Sequence, residues 1–239
     1  MAPALREIVA GSSAIVFFGG AGVSTASGIP DFRSADGLYS QTTGLHYPPE
    51  QVLSHSFFFA HPEEFYAYYR ANLLHPEAQP NQAHEGLASL ERQGKLTAVV
   101  TQNIDGLHQA AGSHTVWELH GSVHRNYCVK CGRKYGLDTI LSSTGVPTCQ
   151  DCGGIIRPDV VLYEEPLDES VIDASVRALA AADTLIVGGT SLAVYPAAGL
   201  IGYFHGRDLV LINKDPTPAD HLATMVIHAP IAETLAEFI

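Results

Sequence analysis

The chain has 239 residues, 46% of them apolar, and its 25 acidic against 13 basic side chains give a formal charge of −12. That apolar content supports a sizeable core and excludes global disorder. So few Lys and Arg argue against binding a phosphate backbone, and no direct nucleic-acid partner is expected.

Residues 1–12 mix Arg6 and Glu7 with small apolar residues and show no hydrophobic signal core. The longest apolar stretch, "AIVFFGGAGV", is too short and too rich in glycine to span a bilayer. A cytoplasmic chain without membrane association is expected. Within that stretch, "SAIVFF" reads as a buried parallel strand running into Gly20-x-Gly22-x-x-Thr25. This approximates a dinucleotide fingerprint, in which glycines let backbone amides approach a pyrophosphate at a helix N-terminus. A tight strand-to-helix turn would leave the same pattern. "SGIPDFRS" follows, with Asp31, Phe32 and Arg33 just past a helix-ending proline. Residues 34–80 are rich in aromatics, lack a convincing strand, and read as a helical insertion.

"QAHEGLASLERQG" predicts a helix with Ala83, Leu87 and Leu90 on one face, stopping at Gly94. The strand "LTAVVT" then leads into Gln102, Asn103 and Asp105. Asn103 or Asp105 could cap the next helix. The three together also supply the paired donors and acceptors that a carboxamide ligand such as nicotinamide needs. The strand "TVWEL" ends at His120, where a neutral imidazole can act as a general base near pH 7. His124, four residues on, lacks that placement and is left unassigned.

Cys128 and Cys131, then Cys149 and Cys152, form two C-x-x-C pairs 17 residues apart. In a reducing compartment this spacing indicates a four-thiolate zinc ribbon, whose closed tetrahedral shell makes the metal structural. "DESVIDASVRALAAAD" predicts a second amphipathic helix, with Ile172, Val176 and Leu179 on one face and Asp168 as its cap. Strands "TLIVGG" and "DLVLIN" end in Thr190-Ser191 and Asn213.

Strands alternating with helices imply an α/β fold with helices on both faces of a parallel sheet. In such sheets the ligand crevice lies beyond the carboxyl ends of the strands. Five polar or glycine-rich strand ends therefore point to one site.

Taken together, "GAGVSTASGIPDFRS", "TQNIDGLHQAAG", "ELHGSVHRNYCVKC", "CGGIIRPDVVLYEE", "GGTSLAVYPAA" and the strand ending in Asn213 resemble the sirtuins, NAD-dependent protein lysine deacylases of bacterial type. The resemblance covers residues 14 to 231. It implies a Rossmann-like domain (1–33, 81–122 and 160–239) and a small domain made of the insertion 34–80 and the zinc ribbon 123–159. It further implies that Gly20, Ala21, Gly22, Ser24 and Thr25 line the NAD phosphates and ribose. Asp31, Phe32 and Arg33 would belong to the cofactor loop, with Phe32 shielding the ribose carbon. Gln102, Asn103, Ile104 and Asp105 would form the nicotinamide pocket. Thr190, Ser191 and Asn213 would hold the adenosine, and Ile231 would meet the adenine.

The acyl-lysine peptide would add as a strand near Val160. NAD would be consumed, with His120 and Asn103 at the reacting centre and one structural zinc. Two departures from the family stand out. Tyr163-Glu164-Glu165 replaces the usual Phe-Gly-Glu, placing bulk and charge near the peptide path. Arg70 follows Tyr66 one residue too late for the Tyr-x-x-Arg of succinyl-preferring members, which predicts acetyl over acidic acyl groups. A sirtuin-like ADP-ribosyltransferase and a non-catalytic NAD-sensing module are the alternatives.

Overall fold

The computed structural model describes residues 4–32, 37–38 and 47–239. Arg33 and residues 34–36 and 39–46 lie outside them. Helix α1 (Leu5–Gly11) precedes strand β1 (Ile15–Gly19), and α2 (Pro49–Val52), α3 (His55–Ala60) and α4 (Pro62–Asn72) form the helical segment. Next come α5 (Gln82–Arg92), β2 (Leu96–Thr101), α6 (Leu107–Ala110) and β3 (Val116–Glu118). The cysteine region holds β4 (Gly121–Cys128), β5 (Lys134–Tyr135), α7 (Leu137–Leu141) and β6 (Ile156–Val160). The chain ends with α8 (Glu169–Ala181), β7 (Thr184–Gly188), β8 (Asp208–Ile212), β9 (Met225–Ile227) and α9 (Ile231–Leu235).

The main sheet has the order β3-β2-β1-β7-β8-β9, and every pair is parallel. Strand periodicity divides its side chains between two cores. Ile15, Phe17, Val99, Ile186 and Val210 face α1, α5 and α9. Val16, Phe18, Val100, Leu185 and Leu211 face α8 and the 3₁₀ segment Ala197–Tyr203. Phe17 and Phe18 are fully buried, and each such side chain contributes about 1.5–3 kcal/mol. The expected helices end as the sequence indicates. Asp168 Oδ1 accepts from the amides of Ser170 and Val171 to cap α8, and Gly94 takes the left-handed φ of 72° just beyond α5.

Chain order runs outward from β1 on one side through β2 and β3, then from β7 to β9 on the other. The reversal between β1 and β7 opens the crevice. The strands of a second, antiparallel sheet, β5-β4-β6, join the two parts, since β4 starts one residue after His120. This sheet shares one core with α2–α4, built around Phe58, Phe65, Tyr66, Tyr69 and Ile156. Arg70 lies over the Tyr66 ring at the edge of that core, 5.2 Å from its centroid. It donates to the Ile140 and Gly145 carbonyls and to Ser143 Oγ.

Behind the crevice, the rings of His84 on α5 and His108 on α6 meet edge to face at 4.8 Å. Burial lowers the pKa of His84 to about 4 and that of His108 well below its ordinary value. An unfolded chain protonates both below about pH 6.5, whereas the fold keeps them neutral. Stability from this pair is therefore complete above that pH and is lost as pH falls toward 4. Calorimetry between pH 7 and 4.5 should show a melting temperature that falls with acid. A flat profile would contradict the neutral pair.

Candidate active site

The glycines after β1 serve packing. The Gly22 amide donates to the Gly189 carbonyl (2.8 Å), and a Cβ on Gly22 would lie 2.9 Å from the Gly189 backbone. Gly189 has φ of 60°, and a Cβ there would meet the Val23 nitrogen at 2.5 Å. The amides of Val23 and Ser24 are spent on the carbonyls of Gly20 and Ala21. The expected helix N-terminus is absent, replaced by two 3₁₀ turns, Ala21–Val23 and Thr25–Ser27. The turn therefore meets the crevice as 3₁₀ backbone, with the Gly22, Val23 and Ser24 amides already bonded within the fold. Thr25 Oγ1 likewise donates internally, to the Gly22 carbonyl.

The loop after β2 is the centre of the site. The Gln102 amide donates to the Gly19 carbonyl (3.0 Å), and its side-chain Nε2 donates to Thr190 Oγ1 (3.1 Å). Asn103 Nδ2 donates to Ser24 Oγ (3.0 Å), which donates to Asp105 Oδ2 (2.7 Å). Asp105 Oδ1 accepts from the Leu107 amide across the turn that leads into α6, whose N-cap is Gly106 and not Asn103 or Asp105. Asn103 and Ser24 are buried. Thr190 donates its amide to Asn213 Oδ1 (2.9 Å), while Asn213 Nδ2 is buried with no partner among the described residues. Ser191 is exposed at the crevice. Phe32 is half-buried against the small core. Ile231 fills the space over Gly188 in the main core.

His120 lies two residues beyond β3. Its Nδ1 is 2.9 Å from the Gln102 carbonyl, which can only accept, so Nδ1 carries the proton. Nε2 is left as the basic nitrogen. Burial lowers the His120 pKa, opposed by that hydrogen bond, and the ring is neutral at pH 7.

His124, unassigned from sequence, grips the same loop from β4. Its Nε2 bonds the Asp105 carbonyl (2.9 Å), and the Val123 amide donates to the Ile104 carbonyl (3.0 Å). Gly106, at φ 74°, leaves room for this ring, since a Cβ there would sit 2.7 Å from it. The chain distance to Asp105 hides this contact from a local reading.

The four cysteines bring their sulfurs within 4.8 Å of one another. Cys128 and Cys152 sulfurs are 3.4 Å apart, and those of Cys131 and Cys149 are 3.7 Å apart. A tetrahedral zinc with bonds of about 2.3 Å spaces its sulfurs by about 3.8 Å, so the residues fit that ion. The Tyr135 hydroxyl donates to Cys149 Sγ (3.0 Å), a support for the thiolate that the motif did not reveal.

At the end of β6, Val160 is buried and its carbonyl accepts from Arg157 (3.3 Å). The Val161 carbonyl, in contrast, receives no hydrogen bond among the described residues. Glu164 takes φ of 76°, which costs a non-glycine residue about 1–2 kcal/mol. Its carboxylate turns to α3, accepting from the Ser56 amide and Oγ (both 2.9 Å).

The Sir2 family model matches residues 20–196. The chain belongs to the Sir2 family. It is 60% identical over 236 residues to a Clostridium perfringens protein named NAD-dependent protein deacetylase, covering 98% of this chain and 97% of that protein. A Cutibacterium acnes protein of the same name is 56% identical over 225 residues, 94% and 92% of the two chains. A solved structure of Sir2 with a p53 peptide and NAD+ superposes with a TM-score of 0.85 at 42% identity, covering 97% of this chain and 94% of that one.

If His124 holds the loop, His124→Ala should raise hydrogen exchange over residues 102–107 about fivefold, the worth of one hydrogen bond, with little change in melting temperature. Unchanged exchange would contradict the grip.

Proposed function

We propose that this chain is an NAD-dependent protein-lysine deacetylase. One observation carries the proposal: His120 stands at the strand-end crevice with Nδ1 committed to the Gln102 carbonyl and Nε2 left to accept a proton. The acyl carbonyl oxygen displaces nicotinamide from the ribose carbon of NAD. His120 then removes the proton of a ribose hydroxyl, whose oxygen attacks the imidate carbon. Water completes the exchange, giving lysine, nicotinamide and O-acyl-ADP-ribose.

Asn103, held on Ser24, lies at the ribose with Asp105, and Ile104 closes the nicotinamide pocket. Ala21, Thr25, Asp31, Phe32 and Arg33 border the phosphates and reactive ribose. The spare Nδ2 of Asn213 serves the adenosine with Thr190 and Ser191, and Ile231 backs the adenine. Gln102 and Ser24 contribute by bracing, since their side chains are spent within the fold. The open Val161 carbonyl, next to Val160, is the natural acceptor for the peptide strand.

The four cysteines would hold one zinc, which would cross-link the small sheet, and four thiolates would leave no position for a catalytic water. The nucleotide-binding part comprises 1–33, 81–122 and 160–239, with 34–80 and 123–159 as the small part. No helix among the described residues is long and apolar enough to cross a membrane. A cytoplasmic setting without nucleic-acid contact completes the reading. Acetyl is preferred over acidic groups, because Arg70 is spent on Ile140, Ser143 and Gly145 and offers no cation to an acyl carboxylate.

Incubation with NAD and acetyl- or succinyl-lysine peptides, followed by mass spectrometry, tests this directly. Free lysine peptide, nicotinamide and O-acetyl-ADP-ribose should appear in equal amounts, with acetyl favoured and His120→Ala slower by about 10²-fold or more. ADP-ribosylated protein without deacetylation, or full activity in His120→Ala, would contradict the proposal.

A further inference from the structure

We propose that Glu164 is a specificity-determining residue that favours acyl-lysine peptides carrying a basic side chain close to the acylated lysine. The inference rests on the deacetylase reading and names the substrate class of that same site.

The backbone at Glu164 is in the left-handed region that glycine adopts freely, and among the described residues only Leu192 shares this as a non-glycine. Something must therefore hold a larger side chain there. Two contacts do. Ser56 donates its amide and its hydroxyl to the two carboxylate oxygens, and the adjoining Tyr163 carbonyl accepts from the His55 amide (3.0 Å). The carboxylate is fixed in place before any peptide arrives.

Its charge is also unanswered. Glu165 is paired with Arg157 (2.5 Å) and with His55 (2.6 Å). Asp159 and Glu118 share Arg125, at 3.0 and 2.6 Å. Glu164 has no cationic partner among the described residues, and Ser56 is neutral. The residue is exposed and lies three positions beyond the open Val161 carbonyl. Three extended residues span at most about 10 Å, so an added peptide strand passes within electrostatic reach of this charge. A lysine or arginine flanking the acyl-lysine gains attraction there, and an acidic flank is repelled.

Glu164 also caps α3, and that task needs hydrogen bonds but not charge. Glu164→Gln separates the two, since an amide can accept from the Ser56 amide and pair with its hydroxyl while carrying no charge. The experiment measures kcat/KM for matched acetyl-lysine peptides with lysine or glutamate at the flanking positions. For the wild type the lysine-to-glutamate ratio should be about threefold or more at ~20 mM salt and approach one at ~0.5 M. In Glu164→Gln the ratio should be near one at both salt concentrations. Because the ratio is taken within each protein, a general loss of activity does not move it. A Glu164→Gln protein that keeps the wild-type ratio overturns the proposal. A wild type that deacetylates none of the peptides overturns the enzymatic reading beneath it.

Discussion

Everything at the crevice hangs on the loop from Gln102 to Gly106. It is tied to β1 through the Gly19 carbonyl, to the β7 end through Thr190, and to the turn after β1 through Ser24. From the other side β4 holds it through Val123 and His124. Its one outward backbone acceptor of chemical consequence is the Gln102 carbonyl, which fixes the His120 tautomer. Few of its polar groups are left to choose their own arrangement, so the loop is a preorganised part of the scaffold.

The same constraint explains how the small sheet takes part in the site. Strand β4 leaves His120 and runs directly to Cys128, the first cysteine of the sulfur cluster. A rigid ribbon with its own core can therefore act as a clamp on the Ile104–Asp105 backbone. The apposed glycines at 22 and 189 do the equivalent work between β1 and β7. Cysteine cluster, crevice loop and switch point form one connected framework.

Much of this was legible in the sequence. Periodic burial marked the five main strands, and fixed local spacing marked the cysteines. What stayed hidden shares a physical cause. Strand β9 is three residues long with Val226 exposed, so it leaves no buried run. The apposition of Gly22 to Gly189 stayed hidden because the two glycines lie far apart in the chain. The hydrogen bonds of Gln102 to Thr190 and of Ser24 to Asp105 stayed hidden for the same reason. His124 and Tyr135 gain meaning only from contacts that folding creates.

The central claim is that the loop carbonyl sets His120 as a neutral Nδ1–H imidazole with Nε2 free to act as base. Long-range proton–nitrogen NMR on histidine-labelled protein at pH 7, with His120 assigned by its loss in His120→Ala, reads this state directly. The account predicts a protonated Nδ1 and an unprotonated Nε2 for that ring. An Nε2–H tautomer, or a cationic ring at that pH, would contradict it.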